Sequence, residues 1–112
     1  MVDDVRQVAV SSVPVELGPS AVLLDVREPE EWHRGHAAGA QHIPMADVPA
    51  RLSEINPDAE VFVVCHSGGR SFRVAQYLQR NGFDPVNVDG GMVAWVGAGR
   101  PVVTDDARPG TV

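Results

Sequence analysis

Four consecutive apolar residues, Val61-Phe62-Val63-Val64, run directly into the only cysteine of the chain. A run with no polar alternation cannot keep one face in water. It reads as a strand buried on both sides, as in a parallel sheet covered by helices. Beyond it, Arg70 to Arg80 has helical spacing, with Val74, Ala75 and Leu78 on one apolar stripe. The connection between them, Cys65-His66-Ser67-Gly68-Gly69-Arg70-Ser71, is short and carries two glycines. Such a loop ahead of a helix lets backbone N–H groups converge on one centre. Together with the positive end of the helix dipole, that nest binds anions. A cysteine at its mouth is expected to ionise below the free value of about 8.5, as a nucleophilic sulfur requires.

The rest of the chain reads as a frame for this loop. Gln7 to Val10 suits a first strand, and Ala21 to Val26 is a second continuous apolar run. Pro29, followed by Glu30 and Glu31, marks a helix start, with the acids Glu28, Glu30 and Glu31 read as solvated. Gly35 ends that helix. Ala40 to Ile43 is a brief strand, and Val48, Leu52 and Ile55 give helical spacing from Ala46 to Ile55. Asn81-Gly82-Phe83 closes the helix after the cysteine loop in the Schellman manner. Val86 to Val88 is a last strand, Gly90-Gly91 a tight turn, and Met92 to Val96 a short helix. Strands alternating with helices predict an α/β fold with a mainly parallel sheet, whose ligands sit at the carboxyl ends of strands. The Asp25 to Arg27 segment and the Cys65 loop both follow such ends, so they converge on one rim. Residues 1–104 are expected to form one domain. Residues 105–112 are read as a polar, mobile tail in which Asp105-Asp106 is a solvated pair without a role.

Composition narrows the function. A chain of 112 residues fits one domain that needs neither disulfide nor metal to fold. One cysteine cannot form an internal disulfide, no zinc-ligand spacing is present, and a reduced thiol suits a cytoplasmic setting. No apolar run is long enough for a membrane span. The net charge of −6 argues against nucleic acid and anionic membranes as partners. An anionic substrate would therefore need local positive potential, which the cysteine loop can supply.

Four stretches together resemble the single-domain rhodanese family of sulfurtransferases. They are Asp25-Val26-Arg27-Glu28-Pro29-Glu30-Glu31-Trp32, Gly35-His36-Ala37-Ala38-Gly39-Ala40-Gln41-His42-Ile43-Pro44, Cys65 to Ser71, and Gly82-Phe83 with Gly90-Gly91-Met92-Val93-Ala94-Trp95. The resemblance implies a rhodanese-like fold, with about five mainly parallel strands and helices on both faces. It implies ping-pong chemistry with no cofactor. Cys65 takes the sulfane sulfur of thiosulfate or of another persulfide donor, then passes it from a cysteine persulfide to a thiol or cyanide acceptor. A protein donor or acceptor is also open. Carried over, Cys65 is catalytic and the amides of His66, Ser67, Gly68, Gly69, Arg70 and Ser71 bind substrate. Asp25 and Arg27 support the rim. Arg70 either reaches the anion or locks the loop. One departure is His66, where many thiosulfate-using members have Arg. Histidine carries little charge near pH 7, which predicts weak thiosulfate use.

Other readings compete. A buried structural cysteine is the plainest alternative for Cys65. Cysteine-dependent phosphatases and arsenate reductases have five residues between Cys and Arg; here Cys65 and Arg70 enclose four, a cradle too tight for a tetrahedral oxyanion. A persulfide carrier or docking module for a partner enzyme would use the same chemistry. His33, His36 and His42 lack the spacing of a compact metal site. Trp32 and Trp95 read as packing residues.

Overall fold

The computed structural model describes residues 4–112. Five strands form one sheet in which every pairing is parallel: β1 (Arg6–Val8), β2 (Ala21–Asp25), β3 (Gln41–His42), β4 (Glu60–Val64) and β5 (Asp84–Val88). Their spatial order is β1-β5-β4-β2-β3. The chain runs outward from β2 to β3, then crosses back to place β4 on the other side of β2. The crevice at the carboxyl ends of β2 and β4 is therefore the switch point where an open α/β sheet binds ligands.

The two apolar runs fill both faces at once. Leu24, Val61 and Val63 belong to one core cluster with Val74, Ala75 and Leu78 of helix α2 (Gly69–Arg80). Their sequence neighbours Leu23, Phe62 and Val64 belong to a second cluster, with Met92 and Trp95 of helix α3 (Gly91–Gly97). Pleating sends alternate residues to opposite faces, so a continuous run is what a strand between two helical layers needs. Helix α1 (Pro29–Arg34) has proline in its first turn, as expected. α2 ends in a Schellman motif: the Phe83 amide donates to the Leu78 carbonyl at 3.1 Å and the Gly82 amide to that of Gln79 at 3.3 Å. Phe83 then packs on the core that holds Leu78.

Three expectations need correction. The first strand is Arg6–Val8, and Val10 turns into a short 3₁₀ segment that buries it. Met45–Glu54 is 3₁₀ rather than α-helical, with non-helical dihedrals at Arg51. Pro49 inside it can donate no backbone hydrogen bond, so a regular α-helix cannot pass through. Val48 and Ile55 are buried all the same. The third concerns Asp105, which is solvent-exposed as expected but not without partners. It accepts from His33 Nδ1 at 3.1 Å and lies 3.5 Å from His36 Nε2. His36 and Val103 exchange two backbone hydrogen bonds of 2.8 Å, and the Thr111 amide donates to Arg34 O at 2.9 Å. Among the described residues no helix is long and apolar enough to cross a membrane.

Leu78 is fully buried and anchors both α2 and its cap. Leu78→Ala is expected to destabilise the fold by about 2–5 kcal/mol, read as a lower urea midpoint at unchanged m-value.

Candidate functional site

β4 ends at Val64 and Cys65 follows at the first position of the loop. Asp25 of β2 lies in register with Val64, and the Val26 amide donates to the Val64 carbonyl at 3.0 Å. The two stretches expected to share a rim are thus adjacent strand ends.

Cys65 is 1% exposed and packs with the core on one side. Its sulfur nevertheless faces donors. The Gly68 amide lies 3.1 Å from Sγ and the Ser71 hydroxyl 3.3 Å. Burial pushes the thiol pKa up. Against that, the Ser71 hydroxyl and the amides of Ser71, Gly68 and Ser67 pull it down, and the balance falls below the ordinary thiol value. Gly68 adopts the left-handed conformation, φ 115°, that turns its amide inward. His66 is exposed, and its carbonyl accepts from the Val93 amide at 3.0 Å. The Cys65 carbonyl accepts from the Met92 amide at 2.8 Å. The start of α3 therefore clamps the loop's backbone. Gly91 makes that approach possible: a Cβ there would run into the Cys65 carbonyl and come within 2.6 Å of the His66 carbonyl.

Arg70 points to α1. Its Nη1 and Nη2 donate to the two carboxylate oxygens of Glu31 at 2.7 and 2.9 Å. Glu31 Oε1 also accepts the Glu28 amide at 2.9 Å, closing a capping box. Glu31 is thus a helix cap and the loop's ion partner, not a solvated acid. The Arg70 hydrogen bonds hold its pKa down to about 2, with a smaller contribution from the Glu28 amide opposing burial.

Asp25 and Arg27 are both wholly buried. Arg27 Nε donates to both Asp25 oxygens at 3.0 Å and Nη2 donates to Oδ2 at 2.8 Å. Nη2 also reaches the Gly35 carbonyl at 2.7 Å, tying the strand end to the chain leaving α1. His42 Nε2 donates to the Arg27 carbonyl at 2.8 Å. The His42 and His36 rings both stack on Trp32, with centroids 4.6 and 3.6 Å away. His36 Nδ1 donates to the Trp32 carbonyl at 2.9 Å, so both rings are packed against a carbonyl and the indole.

The loop residues, Asp25 and Arg27 are therefore brought to one place. Sequence reasoning missed Glu31, which needed a partner 39 residues away to be noticed. It also missed Asn87 of β5, whose Nδ2 donates to the Gly68 carbonyl at 3.3 Å. A single asparagine between two buried valines was the available clue.

A family model described as a rhodanese-like domain matches residues 15–98. The Bacillus subtilis protein named "Putative sulfurtransferase YtwF" is 42% identical over 87 residues, covering 78% of this chain and 84% of that one. A B. subtilis protein named "Putative sulfur carrier protein YrkF" is 42% identical over 84 residues, 74% of this chain but 45% of its own length. The crystal structure of a rhodanese-related protein from Thermoplasma volcanium superposes with a TM-score of 0.82 at 30% identity, covering 89% of this chain and 99% of the other.

Glu31→Gln tests the pair with Arg70. At pH 7 it is expected to cost about 1 kcal/mol, a modest figure because 19% and 32% of the two side chains stay in solvent. The folded Glu31 pKa lies below its ordinary value, so its contribution is complete above pH 4.5 and is lost as pH falls toward 2. The stability gap between wild type and variant, measured by urea unfolding, should close over that range.

Proposed function

This chain belongs to the rhodanese-like domain family, and from that premise we propose that it is a sulfurtransferase carrying sulfane sulfur as a persulfide on Cys65. One observation supports the reading above others: the sulfur of Cys65 accepts hydrogen bonds from the Gly68 amide and the Ser71 hydroxyl at the carboxyl end of β4. A structural cysteine has no need of donors aimed at it. In the first half-reaction the Cys65 thiolate attacks the outer sulfur of a donor, either thiosulfate or a persulfide. An S–S bond forms to Cys65, the donor's S–S bond breaks, and sulfite or a thiolate leaves with the electron pair. The terminal sulfur of the persulfide carries the negative charge. In the second half-reaction cyanide or a thiolate attacks that sulfur, and thiocyanate or a new persulfide departs while the Cys65 thiolate is restored. Neither step needs a cofactor. The amides of residues 66–71 bind the anion in this scheme, Arg70 with Glu31 locks the loop, and Asp25 with Arg27 braces the rim.

The donor we favour is a persulfide, borne by a small molecule or a protein. Arg70 and Arg27 are both committed to carboxylates, and His66 stands where many thiosulfate users in the family have arginine. Little fixed cationic charge is left for a dianion. The name of the relative YrkF lends weight to a protein partner. The same pairing of Arg70 with Glu31 weighs against a phosphatase, which needs that guanidinium on its phosphoryl group.

Intact-mass measurement after incubation with thiosulfate, and separately with a low-molecular-weight persulfide, tests the proposal. Cys65 should gain one sulfur atom, more readily from the persulfide, and Cys65→Ser should gain none. No gain from either donor, or an undiminished gain in Cys65→Ser, would reject it.

A further inference from the structure

Asn87 is a polar side chain in the buried part of β5. It is 1% exposed and lies between Val86 and Val88, both wholly buried. Its Nδ2 donates to Gln7 Oε1 on β1 at 3.0 Å and to the Gly68 carbonyl at 3.3 Å. Its Oδ1 is buried with no hydrogen-bond partner among the described residues. An orphaned buried acceptor destabilises a fold, and an aliphatic residue in its place would not. The side chain must be doing something that valine could not.

What it touches says what. The Gly68 carbonyl that Asn87 donates to also lies 3.2 Å from the Ser71 hydroxyl. The same hydroxyl lies 3.3 Å from Cys65 Sγ. A serine hydroxyl has one proton, so it can serve the carbonyl or the sulfur. The Gly68 oxygen has two lone pairs: the Phe72 amide takes one at 3.1 Å and Asn87 the other, so a third donor finds a poor acceptor there. We infer that Asn87 is a positioning residue for Cys65: by taking the remaining lone pair of the Gly68 carbonyl it directs the Ser71 hydroxyl proton to the sulfur. This rests on Cys65 being the reactive thiol of the proposed function. The charged side chains bordering the sulfur are Arg70 with Glu31 and, at the adjacent strand end, the Asp25–Arg27 pair; His66 follows the cysteine but is exposed. None of them hydrogen-bonds to Asn87, whose side-chain partners are Gln7 and Gly68.

The test is the pH dependence of Cys65 alkylation by iodoacetamide, which follows the thiolate. Asn87→Leu and Ser71→Ala should each raise the midpoint by about half to one pH unit, the scale of one lost hydrogen bond. The double variant should go no higher than Ser71→Ala alone, because both changes remove the same donated proton. Gln7→Leu, which leaves the Gly68 contact in place, should not move the midpoint. Asn87→Val, suited to a strand between valines, replaces Asn87→Leu if circular dichroism shows the latter unfolded. An unmoved midpoint in a folded Asn87 variant overturns the inference. So do additive shifts in the double variant, a shift in Gln7→Leu as large as in Asn87→Leu, or a wild-type midpoint equal to that of Ser71→Ala. Alkylation requires only the thiol. A chain that alkylates as expected yet never gains sulfur would sink the sulfurtransferase reading while leaving this one standing.

Discussion

Burial opposes ionisation of a thiol, and the arrangement at the carboxyl end of β4 answers that opposition. Cys65 is almost entirely out of water, which by itself would leave it protonated and inert. Four donors, three amides and one hydroxyl, tip the balance toward the thiolate. Those donors work only if the loop backbone holds one conformation, since an amide turned away contributes nothing. The site is therefore a problem in holding a short, glycine-bearing loop still. The rest of the fold can be understood by how it does so.

Each neighbouring element takes hold of a different part of the loop. α3 donates two amides to the Cys65 and His66 carbonyls. β5 reaches the Gly68 carbonyl through Asn87. α1 takes Arg70 through Glu31, and Glu31 is itself fixed by the helix turn it caps. β2 contributes indirectly, through the buried Asp25–Arg27 pair that ties its end to the Gly35 carbonyl. A buried ion pair is a poor source of stability, because desolvation consumes much of the attraction. Here it fixes geometry: one guanidinium joins a strand end to the exit of a helix. The glycines divide the labour. Gly68 is needed for its left-handed dihedral, Gly91 for the absence of a Cβ where two backbones meet.

How much of this could be read from the sequence depended on range. The buried strands were legible because Val61 to Val64 and Ala21 to Val26 break the rule of alternation, and a parallel sheet is the setting that tolerates this. The loop was legible because its cysteine, glycines and helix start are contiguous. The Schellman end at Gly82 was legible for the same reason. The 3₁₀ character of Met45–Glu54 was harder, since Val48, Leu52 and Ile55 keep helical spacing even though Pro49 forbids the regular form. The roles of Glu31, Asn87 and Asp105 were not legible. Each looked like a surface acid or a stray amide until the fold set it against a residue far along the chain. Acids at a helix start are usually solvated, and the local feature that separates Glu31 from Glu30, its N3 position two residues after Pro29, points to a capping box and not to Arg70.

A protein with net charge −6 could attract an anionic donor with exposed cations, but the two arginines bordering this site are already paired. The stabilisation available at Cys65 comes from dipoles instead: amide N–H groups and a hydroxyl held in a water-poor pocket. Dipoles act at short range and are screened little by salt. They favour charge located on the sulfur itself over charge spread across a distant leaving group. In the proposed function the negative charge sits on the transferred sulfur and later on Cys65, both within reach of these dipoles. The positive ends of bonds are thus placed where they serve a charge on Cys65 or on a sulfur bound to it, and they do so without an exposed cation.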